Sequence, residues 1–177
     1  MRPDQEATWE VTMKNLMGTS FIAQLKCIAG IYPPFVALSE GDIAAKSGWL
    51  ELTHDSSRSV AFRFQFLSQT EDRFHYAITG AEEAGYYADA ALGVSLNSYV
   101  GLYHLAKVEN VWKFDFTATG LDEEGFWLRD KDGYRMAVTE IPHAGFVSIP
   151  GVAGVPRLNV ASGTLARFEL TAVRALG

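Results

Sequence analysis

Alternation of apolar and polar side chains constrains this chain more than any other feature. In residues 59–67 (SVAFRFQFL), Phe62, Phe64 and Phe66 fall on one side and Arg63 and Gln65 on the other. Only an extended backbone, whose successive side chains point to opposite faces, sorts them in this way. Residues 73–79 (RFHYAIT) repeat the arrangement with Phe74, Tyr76 and Ile78, and the intervening QTEDR predicts a hairpin. The same period groups Trp9, Val11 and Met13 in 8–16 (TWEVTMKNL), Trp112, Phe114 and Phe116 in 111–117 (VWKFDFT), and Ala166, Phe168 and Leu170 in 164–172 (TLARFELTA). Such runs spell antiparallel strands with one wet face. Asp132-Gly133 predicts a tight turn between strands near 125–130 and 134–140, since glycine accepts the positive φ that such turns require.

Residues 21–30 (FIAQLKCIAG) and 94–106 (VSLNSYVGLYHLA) are more continuously apolar and predict central strands. Gly101 lies inside the second of these, where a strand glycine marks a bulge or a close backbone approach. Helix is confined to two candidate short segments, 35–46 (FVALSEGDIAAK) and 81–92 (AEEAGYYADAAL), and 143–157 (HAGFVSIPGVAGVPR) reads as a Gly/Pro loop. The predicted core includes Trp9, Phe64, Tyr76, Val100, Phe114 and Phe168. With 177 residues, 48% of them hydrophobic, residues 1–177 are predicted to form a single all-β domain with a sizeable core.

Charge narrows the partners. Fifteen Lys and Arg against 21 Asp and Glu leave a net charge of -6, which predicts no basic face for following a nucleic-acid backbone. No stretch approaches the roughly 20 apolar residues of a membrane span, and the polar start MRPDQEATWE shows no signal peptide in this chain. The single cysteine, Cys27, shares a side with Phe21, Ala23 and Leu25 and is expected to be a buried, inert thiol.

His54, His75, His104 and His143 lie far apart and lack metal-ligand spacing. His75 shares the polar face with Arg73, whereas His54 shares a face with Leu50 and Leu52 and reads as a strand-end core histidine. No GxSxG elbow or P-loop is present, so no organic cofactor is expected, and no set of nucleophile, base and orienting group can be assembled. The acidic segment LDEEG, with Asp122, Glu123 and Glu124, reads either as a solvated acidic turn, the commoner case, or as a loop that supplies oxygens to a hard cation.

Taken in order, WEVTMKNLMGTSF, LSEGDIAAKSG, SLNSYVGLYHL, GLDEEGF, IPGVAGVPRL and GTLARFELTAVR resemble the spondin N-terminal (F-spondin) domain family, as a divergent member of bacterial type, over about residues 8–174. Tyr99, Val100, Gly101 and Leu102 match the aromatic-Val-Gly-Leu segment of that family. The resemblance implies an eight-stranded antiparallel β-sandwich of C2-like type, with one or two short helices here, secreted or at the cell surface. It also implies calcium between loops at one end, with Asn97 and Asp122 in ligand positions. One family Asp falls on Ala118, and Glu124 is the residue that can replace it.

Three readings follow. The first is a non-enzymatic adhesion or binding module that meets a protein or glycan surface through sandwich-end loops, with a weak calcium site at Asn97, Asp122 and Glu124. The second is a calycin-like β-barrel that binds a small hydrophobic ligand or guides a cofactor-free cyclisation, with His54, Tyr76, His104 and Trp112 toward the ligand. The third is a self-assembling structural subunit whose edge strands pair with copies of the chain. The calcium expectation is checked by thermal melting in millimolar calcium against chelator. A hundredfold excess over Kd stabilises by about 2.7 kcal/mol, and Asp122→Ala is expected to abolish the shift.

Overall fold

The computed structural model describes residues 13, 15–28, 30–39, 47–71, 73–104, 111–116, 125–141 and 154–176. Among them the chain is all-β and antiparallel. The strands are β1 (Phe21–Cys27), β2 (Phe35–Leu38), β3 (Leu50–Thr53), β4 (Ala61–Gln69), β5 (Arg73–Gly80), β6 (Ala91–Val94), β7 (Val100–Tyr103), β8 (Val111–Asp115), β9 (Phe126–Arg129), β10 (Ala137–Ile141), β11 (Val155–Asn159), β12 (Thr164–Leu165) and β13 (Arg167–Ala175).

Six of these close on themselves. β1 pairs with β4, β4 with β5, β5 with β8, β8 with β9, β9 with β13, and β13 returns to β1. This ring is a closed antiparallel barrel, which corrects the expected eight-stranded sandwich. The reason lies in β1, whose two edges are taken by the last strand (Phe21 opposite Ala175) and by the alternating Phe strand (Phe21 opposite Phe64). A sandwich needs free edges between its sheets, and none remains there. The outer strands run β1-β2-β3-β11-β10-β12 on one side and β5-β6-β7 on the other.

Alternation fills the ring as the sequence predicts. Phe64, Tyr76, Phe114 and Phe168 are inaccessible, as are Phe21 and Phe126. Phe21 stacks on Phe64 with centroids 4.9 Å apart, Phe114 on Phe126 at 4.5 Å, and Tyr76 meets Phe114 at 5.0 Å. Offset and edge contacts of this kind add about 0.5–1.5 kcal/mol per pair beyond area burial. Val100 is buried in the outer layer and Cys27 at the end of β1, while Trp9 lies outside the described residues.

Several local expectations change. Residues 8–16 do not continue as a strand to their end, because Met13, Asn15 and Leu16 are helical and the Met17 N–H donates to the Met13 carbonyl at 3.0 Å. One helical turn puts Met13, Leu16 and Met17 together against the core, and Gly18 ends it at φ 92°. Residues 94–104, the described part of the predicted strand 94–106, hold the turn of a hairpin rather than one strand. Ser98 sits at φ 69° and its N–H reaches the Ser95 carbonyl at 2.9 Å, so β6 turns back into β7. Phe35–Leu38, placed in a candidate helix, is β2 and pairs with β3 over Phe35–Leu38. Of the second candidate helix, Glu82–Tyr87 is a 3₁₀ segment broken at Gly85, and Ala91–Val94 is β6.

Gly101 marks a close approach, as its place in a strand predicts. Trp49 bridges to it, and a Cβ built there would lie 2.6 Å from the Gly48 carbonyl oxygen. Gly101→Ala is therefore expected to destabilise by about 1–3 kcal/mol, the range for overpacking, measured as a lower urea midpoint at unchanged slope.

Candidate functional site

β5 is longer than either strand that shares its outer edge. Its first half, Arg73–Ala77, pairs with β8, and Thr79 pairs with β6 at Ala91. The two partners part company there, and Trp112 at the start of β8 stands in the fork. Its ring is 1% exposed and its indole N–H donates to the Leu92 carbonyl of β6 at 2.8 Å.

A cleft of about 790 Å³ opens in front of this indole. Its apolar lining is Val94, Leu96, Tyr103, Trp112, Tyr134 and Val160, and the turn Asp130–Asp132 forms a polar rim. Two side-chain devices and one backbone bond set the walls. The Asp130 carboxylate accepts from the backbone N–H groups of Asp132 at 3.0 Å and Tyr134 at 2.9 Å, which fixes the β9–β10 turn with Gly133 at φ 90°. Asn159 accepts through Oδ1 from the N–H groups of Ala161 and Ser162, both at 2.8 Å, and so shapes the chain after β11. The Val160 N–H donates to the Ser98 carbonyl at 3.1 Å and joins that wall to the β6–β7 turn.

Tyr103 donates to the Tyr99 carbonyl at 3.1 Å, and burial pushes its hydroxyl above the usual phenol range, so it is a neutral group at physiological pH. Asp130 is committed to its turn. The cleft thus offers an apolar floor with a polar margin, in the size range of small-molecule sites. Leu96 is fully exposed and Tyr134 is 61% exposed, both at its mouth.

The sequence candidates scatter. Of the ligand-side residues, Trp112 lines the cleft. Tyr76 is buried in the ring; His104 is exposed and its Nε2 lies 2.7 Å from the Tyr86 carbonyl oxygen. His54 is exposed on the bend after β3 rather than buried with Leu50 and Leu52, because β3 ends at Thr53. Asn97 is exposed on the β6–β7 turn, while Asp122, Glu124, Ala118 and His143 lie outside the described residues. Among the described residues, no three His, Cys, Asp or Glu side chains converge to hold a metal. Alternation reasoning missed Leu96 and Tyr134, although large apolar side chains inside a Ser-Leu-Asn-Ser turn and just after Asp-Gly are themselves a signal.

Comparison of the chain with protein-family models, with curated proteins and with solved structures gives no match. Geometry therefore carries the functional reading.

Tyr76 has a structural task. Its hydroxyl donates to the Thr19 carbonyl at 2.8 Å and accepts from the Gly18 N–H at 3.1 Å, which ties the helical turn to the ring. Burial raises its pKa from 10.0 to about 12, against the smaller lowering effect of those backbone bonds. A pKa raised in the folded state contributes stability that is complete below pH 10 and is lost as pH climbs toward 12. Two units correspond to about 2–3 kcal/mol. In urea melts from pH 8 to 11, the protein is expected to lose more stability above pH 10 than Tyr76→Phe does, with Tyr76→Phe about 1–2 kcal/mol weaker at pH 8.

Proposed function

We propose that this protein binds a small amphipathic molecule whose apolar body lies in the cleft against Trp112 and whose polar end meets the Asp130–Asp132 turn. One observation carries the reading: a cleft of about 790 Å³ is floored by apolar side chains where β6 and β8 separate. The aromatic rings inside the barrel pack on one another instead. This keeps the barrel alternative in its ligand-binding form and moves the ligand from the lumen to the side of the ring. Adhesion through sandwich-end loops presupposes the two-sheet architecture that the closed ring replaces.

Binding is read by titrating the protein with a neutral apolar dye such as Nile red, which avoids charge effects. Saturable binding is expected. Tyr134→Ala and Val94→Asp are each expected to weaken it at least tenfold, since burying one large apolar side chain is worth about 1.5–3 kcal/mol. Ile31→Ala, at an exposed position among the described residues but away from the cleft lining, is the control. Equal affinity in the cleft variants and the parent would reject the reading.

A further inference from the structure

The outer face of the barrel gathers cations that the sequence spreads over many residues. With Phe74, Tyr76, Phe114, Phe126, Leu128 and Phe168 on the core side, the alternate residues of β5, β8, β9 and β13 point outward. Strand register sets these in two adjacent rows. His75 lies opposite Lys113, Lys113 opposite Arg129, and Arg129 opposite Arg135. In the next row Arg73 lies opposite Asp115, Asp115 opposite Trp127, and Trp127 opposite Arg167. Five of the chain's 15 Lys and Arg therefore share one face with a single carboxylate in those rows, in a protein of net charge -6.

That carboxylate is already engaged. Asp115 is inaccessible, with Arg129 Nε at 2.5 Å and Arg73 Nη2 at 3.7 Å. Lys113 Nζ donates to the Lys131 carbonyl at 3.1 Å and Arg129 Nη1 to the Gly133 carbonyl at 2.7 Å, whereas three other donors on the face differ. The Arg135 guanidinium lies over the Trp127 ring, 5.1 Å from its centroid. Arg135 Nε, Trp127 Nε1 and Arg73 Nε are buried and have no hydrogen-bond acceptor among the described residues. A buried donor left without a partner is unfavourable, and the Arg73 side chain, 29% exposed, has further guanidinium N–H groups that an accepting ligand reaches from solvent. The neighbourhood is electropositive enough to act on His75, whose pKa is lowered first by desolvation and then by Lys113 and Arg73. A hollow of about 320 Å³, bordered by Arg129, Arg135, Ser162 and Gly163, adjoins the Arg135 end of the first row.

We propose that this face is a binding site for a multivalent oxyanion, held by Arg73, Lys113 and Arg135 around the Asp115–Arg129 pair. Guanidinium forks match the paired oxygens of carboxylate and phosphate. The rows cross four strands, about 14 Å at roughly 4.8 Å per strand, so a ligand with more than one anionic group meets them better than a lone ion. The site is separate from the amphipathic cleft and does not rest on it.

Isothermal titration at low ionic strength with pyrophosphate and with citrate tests this. Saturable binding of at least one is expected, weakened tenfold or more by Arg135→Gln and by Lys113→Gln, and weakened by added salt. Arg135→Gln acts within the packed stack on Trp127, whereas Lys113→Gln removes a part-exposed charge, so a fold defect in the first leaves the second decisive. Pyrophosphate alone assigns a phosphate ligand, citrate alone a carboxylate ligand, and both assign the general oxyanion site. No binding at millimolar concentration overturns the proposal. So does equal weakening in Arg174→Gln, whose partner is Glu83 and which lies outside both rows, because that result means diffuse attraction rather than a site.

Discussion

Closure between the first and last strands of the ring is the constraint on which the rest of the structure depends. β1 receives β13 along one edge and β4 along the other, so strands nearly a chain length apart become neighbours. Once that seam forms, the ring has no edge of its own to pair with another molecule, and its inward side chains share one enclosed space. The aromatic stacks are a consequence of the seam: Phe21 reaches Phe64 because β1 lies beside β4, and Phe126 reaches Phe114 because β9 lies beside β8. Tyr76 then closes one end by holding the turn at Gly18 and Thr19.

Unequal strand lengths produce the asymmetry that function can use. A barrel of strands matched in length has a continuous wall. Here β5 spans Arg73–Gly80 while β8 covers only Val111–Asp115, and the uncovered end of β5 recruits β6. The hairpin β6–β7 leaves the ring at that point and is caught by Trp49 bridging to Gly101. Glycine at 101 permits this contact, since any side chain would meet the Gly48 carbonyl. The cleft is the space between the departing hairpin and the retained ring, and Trp112 fills the apex of the fork. β1 is shared in the same way, with Lys26 paired to Phe35 of β2 beyond the segment that pairs with β4.

The strand content and the inward positions were legible in the sequence, because burial on one face leaves a period of two that composition cannot disguise. Phe64, Tyr76, Phe114 and Phe168 follow from it directly. Closure was not legible, since pairing partners on opposite ends of a chain leave no local mark and a sandwich and a barrel share the same alternation. The helical turn at Met13 was obscured because three apolar residues at alternate positions, ending at Met13, satisfy a strand pattern before the helical spacing Met13, Leu16, Met17 becomes visible. The hairpin at Ser95–Ser98 was hidden by Leu96, an apolar residue fully exposed in a turn. The basic rows were invisible for a different reason. Averaged over the chain, 15 cations are outnumbered by 21 acids, but register, not composition, decides which charges become neighbours.

One network joins these levels. Arg129 directs Nε to Asp115 on β8 and Nη1 to the Gly133 carbonyl at 2.7 Å in the β9–β10 turn. The same turn is braced by Asp130, presents Tyr134 to the cleft, and continues into Arg135 on the basic face. Removing one member of a buried ion pair generally costs about 3–5 kcal/mol, because the partner remains desolvated and uncompensated. The geometry here makes that cost local in effect: loss of the Asp115 carboxylate leaves Arg129 and Arg73 facing each other without a counter-charge, while loss of Arg129 also releases the Gly133 carbonyl. The pair therefore does more than stabilise the barrel wall. It sets the position of the turn that walls the cleft, and it keeps the cations of two rows close enough together to act on one ligand.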